Sequence, residues 1–421
     1  MKRSIVSWSW WREHPHRLLF AILGVALLAR LVLIMQMGPH YYFGDTAEYE
    51  KVAKDFMAGR GFQADVPRAP LYPLFMAAGF LLGGQGNYMA VRLLQVVFGL
   101  SIVVLCYVLG RRIAGQGVGL IAALGAALAP TLVFTTALLY PTVLRTLCVL
   151  AATLACVWMV RHPSLASAVL LGLALAAGWY TNPAFAVQGA ALVCGLVLVA
   201  WRRRGALPRT AAGAIAIAVI ACAPSLWIAS SGKGEVFMAK AQYVMHVARS
   251  DPAFGPDRLV RIAPDTPFAP LGTGAFVRRE WELMRTQPVA YLHDYVDELV
   301  HFFAPVPDRL QTSNVYTRPV VKAVAAIYFV PVLGFGLYGL WRGRARRCDR
   351  IFLLLPIVAT AAFYAMFFTQ TRYRVSIEPL LIVAAGLGLQ RAFPRALAAT
   401  EGAGAARRPR GAPVAVGPAL H

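Results

Sequence analysis

Apolar residues run almost without interruption through ten segments of the chain, at positions 18–37, 88–110, 118–139, 142–160, 166–180, 184–201, 211–229, 320–341, 351–368 and 377–389. A helix needs about 20 residues to cross the roughly 30 Å of hydrocarbon in a bilayer, and lipid obliges the backbone to satisfy its hydrogen bonds within the segment. The pattern therefore predicts an all-α polytopic membrane protein with about ten transmembrane helices. Most of the polar gaps are turns. Two are far longer, 38–87 and 230–319, and long loops in compact proteins carry function or structure of their own.

In the first long loop Tyr49, Val52, Ala53, Phe56 and Met57 recur at helical spacing while Glu50, Lys51, Lys54 and Asp55 take the opposite face. That alternation predicts a helix lying in the membrane interface, ended by Gly59-Arg60-Gly61. The apolar run 70–82 is too short to span and reads as a juxtamembrane helix beside the bundle. In the second loop 235–248 and 274–303 are helical candidates on either side of the Pro-rich stretch 251–270, with Trp281, Met284, Tyr291, Tyr295 and Leu299 expected to roof the bundle. Residues 1–17 form a cytoplasmic N-terminus, 18–400 the transmembrane domain, and 401–421, rich in Ala, Gly, Pro and Arg, a cytoplasmic tail expected to be disordered. No fixed-period repeat is present, which counts against transporter folds built from duplicated halves.

Charge changes this picture only by giving it a direction. The chain is 58% hydrophobic and 14% charged, with 41 Lys and Arg against 19 Asp and Glu, a net +22. Along the alternating topology, the segments 1–17, 111–117, 161–165, 202–210, 342–350 and 390–421 hold 21 of the basic residues and, of the acidic ones, only Glu13, Asp349 and Glu401. By the positive-inside rule both termini are cytoplasmic and the loop 38–87 faces outward. The basic excess is thus a topology signal, and nucleic-acid binding is set aside. All six Cys lie in spans or on the cytoplasmic side, so neither a disulfide framework nor a CxxC metal site is implied. The first apolar run lacks a small-residue cleavage site and reads as a retained anchor.

Candidate chemistry gathers at the outer mouth. In Tyr41-Tyr42-Phe43-Gly44-Asp45-Thr46-Ala47-Glu48-Tyr49 the chain turns polar just past the first span. Asp45-Thr46-Ala47-Glu48 fits a capping box, with Glu48 reaching back; the same Asp45 is also placed to act as a base on an acceptor hydroxyl. Arg68, ahead of the juxtamembrane helix, sits at headgroup depth, where it suits a lipid-borne phosphate or simply snorkels to bulk lipid. Arg372 and Arg374 form an outward basic pair against the positive-inside tendency, held by a phosphate or by a salt bridge to Asp45, Glu48 or Glu378. Arg30 and Arg145, inside spans, read as structural, pairing with carboxylates at the outer mouth. His293 and His301 lack metal spacing, and no GxSxG, Walker A or dinucleotide glycine pattern occurs.

The order of these features resembles the GT-C membrane glycosyltransferases, in the branch related to protein O-mannosyltransferases and bacterial lipid A or oligosaccharide glycosyltransferases that use polyprenyl-phosphate sugars. The resemblance rests on Asp45, Tyr49 and Gly59-Arg60-Gly61-Phe62, then Arg68-Ala69-Pro70-Leu71-Tyr72-Pro73, then Arg92-Leu93-Leu94-Gln95, and finally Arg372-Tyr373-Arg374 with Pro379. It implies a GT-C-like domain with an outward active site in the cytoplasmic membrane of a bacterium. Asp45 would be the catalytic base, and Glu48, Tyr49, Arg68, Tyr72, Arg372 and Arg374 would bind substrate. Arg68, with Arg372 or Arg374, would neutralise the departing lipid phosphate. The implied reaction is inverting transfer of a sugar from a polyprenyl-phosphate donor to a glycan, lipid or protein acceptor. A transporter of lipid-linked sugars, or a non-catalytic scaffold with the same fold, is the alternative. The chain departs from the family pattern at Leu138-Leu139-Tyr140-Pro141-Thr142, where relatives carry a carboxylate, at Asn182-Pro183 and at Ala229-Ser230. The first departure removes a metal or acceptor ligand, so no metal site is assigned and a divalent ion is left open.

Overall fold

The computed structural model describes residues 15–38, 45–61, 68–202, 207–228, 239, 242, 243, 245–247, 249, 250, 259–263, 266–306, 319–367 and 369–394. They form helices with no strand among the described residues. In chain order these are α1 (Pro15–Met37), α2 (Asp45–Met57), α3 (Leu71–Gly83), α4 (Tyr88–Ala114), α5 (Gln116–Leu128), α6 (Pro130–Ala137), α7 (Thr142–Arg161), α8 (Leu165–Thr181), α9 (Phe185–Trp201), α10 (Leu207–Ile228), α11 (Thr273–Thr286), α12 (Pro288–Phe302), α13 (Pro319–Arg342), α14 (Arg347–Ala365), α15 (Thr371–Arg374) and α16 (Glu378–Ala392). The tail 401–421 and the stretch 251–258 lie outside the described residues, as does most of 1–17.

Each apolar run coincides with a helix or helix pair, and the chain is a multi-pass membrane protein. Five helices, α1, α4, α7, α13 and α14, are long and apolar enough to cross a bilayer, and α5 with α6 makes a sixth if the bent pair is one span. Helices α8, α9 and α16 are apolar but only 17, 17 and 15 residues long. Local signals set several starts: the Asn87 side chain accepts from the amides of Met89 and Ala90 to cap α4, and Ser164 and Ser167 cap α8 reciprocally.

The run 118–139 reads as one span, yet it breaks at Ala129 into α5 and α6, inclined at 52°. Pro130 is the cause, because it has no N–H to give and its ring crowds the preceding turn. A break inside a bundle leaves orphan carbonyls. Arg30 of α1, almost fully buried, reaches one of them: its Nη1 donates to Ala127 O at 3.5 Å as well as to Ala26 O at 3.0 Å. In place of the expected carboxylate, Arg30 holds one carbonyl of its own helix, Ala26 O, and one at the negative end of α5, Ala127 O.

The far end of α6 is satisfied in a similar way. Gln95 Nε2 donates to Thr136 O (2.7 Å) and Leu138 O (2.6 Å), Arg92 Nε to Ala137 O (2.8 Å), and Thr46 Oγ1 to Leu139 O (3.0 Å). Arg92 also holds Gly38 O at the exit of α1, and Tyr72 of α3 donates to Gln95 Oε1 at 2.9 Å. One turn of α4 thus ties α1, α3 and α6 together. Above it Tyr49, Ala53, Tyr72, Met76, Ala77, Phe80, Val91 and Leu139 form an apolar layer that seats α2 and α3 on the bundle.

On the opposite edge α13 and α16 pack backbone to backbone. A methyl group on Gly339 would collide with Ala384 O, and one on Gly388 with Phe335 O. The spacings Gly339 to Gly343 and Ala384 to Gly388 put small residues on one face of each helix, the arrangement that lets membrane helices approach closely. At the C-terminal end of α7 Arg161 bonds the buried Asp349 of α14 at 2.5 Å.

The outer candidate 274–303 is split by Pro288 into α11 and α12. Tyr295 Oη reaches Ala362 O at 3.4 Å and Leu299 packs against the core, but Trp281 and Met284 lie on an exposed face instead of roofing the bundle. Two checks follow from this packing. Gly388→Ala is expected to destabilise by about 1–3 kcal/mol through overpacking, read as a lower Tm in a detergent thermal-shift assay. Gln95→Leu, which orphans two buried carbonyls and a buried phenol, is expected to destabilise by about 2 kcal/mol or more in the same assay.

Candidate active site

Helix α2 begins at Asp45, and its sequence puts Tyr49, Val52 and Ala53 on the buried face while Lys54 and Glu50 pair at 2.7 Å on the wet one. Asp45 and Glu48 therefore stand together on the first turn, at the positive end of the helix dipole. Arg68, three residues ahead of α3, points into them. Its Nε donates to Glu48 Oε2 at 2.7 Å, its Nη2 bonds the same oxygen, and Nη2 also lies 3.4 Å from Asp45 Oδ1. Glu48 is thus turned to Arg68, whereas the capping box would have it reach back along its own helix. Arg68 also stacks over the Tyr49 ring, 5.0 Å from its centroid.

The second oxygen of Asp45 has a partner that the sequence did not point to. Tyr140, in the turn between α6 and α7, donates from Oη to Asp45 Oδ2 at 3.3 Å. Its ring meets Tyr49 edge-on at 5.9 Å, and Tyr49 meets Tyr72 edge-on at 5.2 Å. The missing carboxylate in Leu138-Leu139-Tyr140-Pro141-Thr142 is thus the place where a phenol reaches the carboxylate next door. A tyrosine before a proline in the turn between two apolar runs was the available signal.

Of the residues singled out in the sequence, Asp45, Glu48, Tyr49, Arg68 and Tyr72 form one contiguous cluster. Arg372 joins it through Tyr140, lying 5.6 Å from that ring and 5.4 Å from the ring of Tyr373. Arg374 is placed differently. It is buried over the Phe329 ring, donates to Phe302 O (3.3 Å) and Ala304 O (2.6 Å) at the end of α12, and lies 3.8 Å from Glu378. Its salt bridge to Glu378 is one of the alternatives that the sequence allowed.

Electrostatics keep these roles distinct. Burial, against the opposing charge of Arg68, pushes the Tyr49 phenol up to about 12. Burial likewise raises Tyr140, partly offset by Arg372, so both phenols stay protonated at neutral pH and Tyr140 remains a donor. Burial by itself would lower the Arg372 guanidinium, but Tyr140, Tyr373 and Asp45 more than offset it and its pKa rises. Asp45 keeps 28% of its side chain exposed, enough to meet a substrate, while Arg68 keeps 11%.

The two nearby carboxylates share a guanidinium, and no cluster of three His, Cys, Asp or Glu among the described residues is arranged for a metal.

Residues 65–228 match the family described as dolichyl-phosphate-mannose-protein mannosyltransferase, a stretch that holds Arg68, Tyr72, Arg92, Gln95 and Tyr140. No curated protein matches the sequence. Among solved structures, the chain is similar to ArnT from Cupriavidus metallidurans bound to undecaprenyl phosphate, with a TM-score of 0.55 and 17% identity over 90% of this chain and 61% of that one. It is also similar to the archaeal oligosaccharyltransferase AglB from Archaeoglobus fulgidus in complex with an inhibitory peptide and a dolichol-phosphate, with a TM-score of 0.56 and 13% identity over 92% of this chain and 51% of that one. It spans less than two thirds of either. Helix order and these likenesses agree: the chain has the GT-C fold of membrane glycosyltransferases, and its residues 65–228 match the dolichyl-phosphate-mannose-protein mannosyltransferase family.

Proposed function

We propose that the protein is an inverting glycosyltransferase that moves a sugar from a polyprenyl-phosphate donor to an acceptor hydroxyl at the outer face of a bacterial cytoplasmic membrane. The acceptor is a glycan, a lipid or a protein. The observation that supports this reading is a partly exposed carboxylate, Asp45, held by two donors, Arg68 and Tyr140, beside a cluster of aromatic rings. A base needs only one oxygen within reach of the proton it removes. The basic excess on the opposite side of the chain supports cytoplasmic termini and an outward site.

In the reaction Asp45 accepts the proton of the acceptor hydroxyl as that oxygen bonds the anomeric carbon from the face opposite the phosphate. The bond between the anomeric carbon and the phosphate oxygen breaks, its electrons stay on the phosphate, and polyprenyl phosphate leaves with inversion at carbon. Arg68 already shares its charge between Glu48 and Asp45, so it serves to hold the base. Arg372, kept charged beside Tyr140 and Tyr373, is the better placed to meet the growing phosphate charge, where stabilisation lowers the barrier. Tyr49 and Tyr72 wall the site. Ionisable groups concentrated at the outer mouth favour this reading over a transporter, which needs them at the bilayer midplane on several helices.

Asp45→Asn is expected to reduce release of free polyprenyl phosphate from radiolabelled polyprenyl-phosphate sugars by about 10²–10⁴-fold, with unchanged abundance and Tm. Full activity in that variant would remove Asp45 as the base, and no release from wild type with any donor would favour the transporter and scaffold readings. Tyr140→Phe, which deletes one hydrogen bond to a charged group, is expected to lower kcat about tenfold with little change in donor KM, measured in the same assay.

A further inference from the structure

Trp281 and Met284 belong to a longer exposed apolar face. In α11, Val277, Trp281 and Met284 recur at i, i+4 and i+7, which puts them on one side of the helix, and all three are exposed, Trp281 by 56%. Elsewhere on the helix Phe276 is buried, and Glu280 takes two bonds of 2.8 Å from Arg249. Arg278 and Arg285 follow Val277 and Met284 by one residue, about 100° further round the helix, and both are exposed. Two guanidiniums thus border the apolar stripe along one side.

Helix α12 carries a second stripe. Val289, Leu292, Val296 and Val300, spaced i, i+3, i+7 and i+11, are all exposed, while Asp294, Glu298 and Phe302 on the other side are buried. Beyond one edge of the stripe Leu299 packs on the core of the bundle; beyond the other stand the exposed Asp297 and His301. The apolar surface therefore continues from the seat of α12 on the bundle into the stripe, and charge begins only past it. Tyr295 gives the height of this helix. Its Oη reaches Ala362 O at 3.4 Å in the last turn of α14, a helix long and apolar enough to cross a bilayer. Glu298 accepts from the Thr369 amide at 2.7 Å, and Arg372 just beyond lies over Tyr140, so this is the end of the bundle that carries Asp45.

A helix at the height where a span ends, apolar along one side and bordered by Trp and Arg, has the make-up of a helix lying in a membrane interface. Trp rings settle at headgroup level, and the long Arg stem lets a guanidinium reach phosphate while its methylenes stay in apolar surroundings. We propose that α11 and α12 form a docking surface for the phospholipid leaflet at the Asp45 end of the bundle, their apolar stripes immersed and Arg278 and Arg285 bonded to headgroup phosphates. The partner is bulk lipid, and the surface stands whether or not the Asp45 cluster transfers sugar. Its effect is on height. Through Glu298 and Arg374, α12 is tied to both ends of 369–374, so the leaflet fixes the level of the stretch that carries Arg372.

The test places a nitroxide spin label at one position at a time, through Val277→Cys, Trp281→Cys, Val296→Cys, Asp297→Cys and Ile327→Cys. The full chain carries Cys194→Ser throughout, because Cys194 is exposed and the other five cysteines are buried. Ile327, exposed on the spanning helix α13, is the lipid reference. In bilayer nanodiscs of phosphatidylethanolamine and phosphatidylglycerol, power-saturation electron paramagnetic resonance reads the access of each label to oxygen, which concentrates in lipid, and to a water-soluble nickel chelate. The oxygen-to-nickel ratio at positions 277, 281 and 296 is expected to lie near that at 327 and several-fold above that at 297. Arg278→Gln with Arg285→Gln is expected to lower it at 281. A ratio at the three stripe positions as low as at 297 means water and overturns the proposal. Poor access to both probes means cover by another part of the chain, a second copy or a protein partner, and overturns it as well. A ratio at 281 indifferent to the two arginine changes overturns the phosphate contacts. Tm is recorded for every variant, and if one stripe variant misfolds the other two decide.

Discussion

The carbonyls of Thr136 and Ala137 in the last turn of α6, and of Leu138 and Leu139 just past it, have no continuing helix to bond and lie on buried residues. Every one is taken by a side chain from a neighbouring element, three bonds coming from Arg92 and Gln95 of α4 and one from Thr46 of α2. Because the donors are fixed on rigid helices, the turn that follows has one position, and that position delivers Tyr140 to Asp45. Thr46 is the residue next to Asp45, so the bond that closes the end of α6 also seats the first turn of α2. Asp45 and Tyr140 are thereby positioned by the same small set of hydrogen bonds from side chains to backbone carbonyls. The break at Pro130 is part of this constraint, since it frees α6 from the line of α5.

Charge at the end of the bundle that carries Asp45 is divided into two kinds of setting. Around Asp45 the anions and cation are matched, with two carboxylates sharing one guanidinium and aromatic rings closing the sides. Around Tyr364 and Tyr373 stand two guanidiniums, Arg145 bonded to the Tyr364 hydroxyl and Arg372 over the Tyr373 ring. Such a division suits chemistry in which a proton leaves at one end of a reacting pair and negative charge collects at the other. The tyrosines between the two settings provide low polarity without giving up hydrogen bonding.

Helices were legible wherever length and apolarity spoke together. The runs around 18–37, 88–110 and 320–341 became α1, α4 and α13 to within a few residues, as hydrogen-bond closure in lipid requires. The bend at Pro130 was not, because a continuous apolar run looks alike whether straight or broken, and only the proline marks it. In the site, Asp45, Glu48 and Arg68 could be read from position, being polar residues where the chain leaves the membrane. Tyr140 could not, since its role depends on a contact 95 residues away in sequence. Arg92 and Gln95 were visible as a motif, but their work of holding carbonyls appears only once α6 lies beside them. The partner of Arg145 was out of reach for the same reason, since the Tyr364 hydroxyl it bonds lies 219 residues away in sequence.

The segment 369–374 joins two parts of the molecule that the chain order keeps apart. Glu298 of α12 accepts from the Thr369 amide and hydroxyl, and Arg374 donates to the carbonyls that end α12, so the outer loop is fastened at both ends of the short stretch that carries Arg372. The large outer loop is therefore not an interchangeable module. A graft of this loop from a relative would have to bring its own 369–374 counterpart, and divergence in the loop and in that stretch is bound to proceed in step.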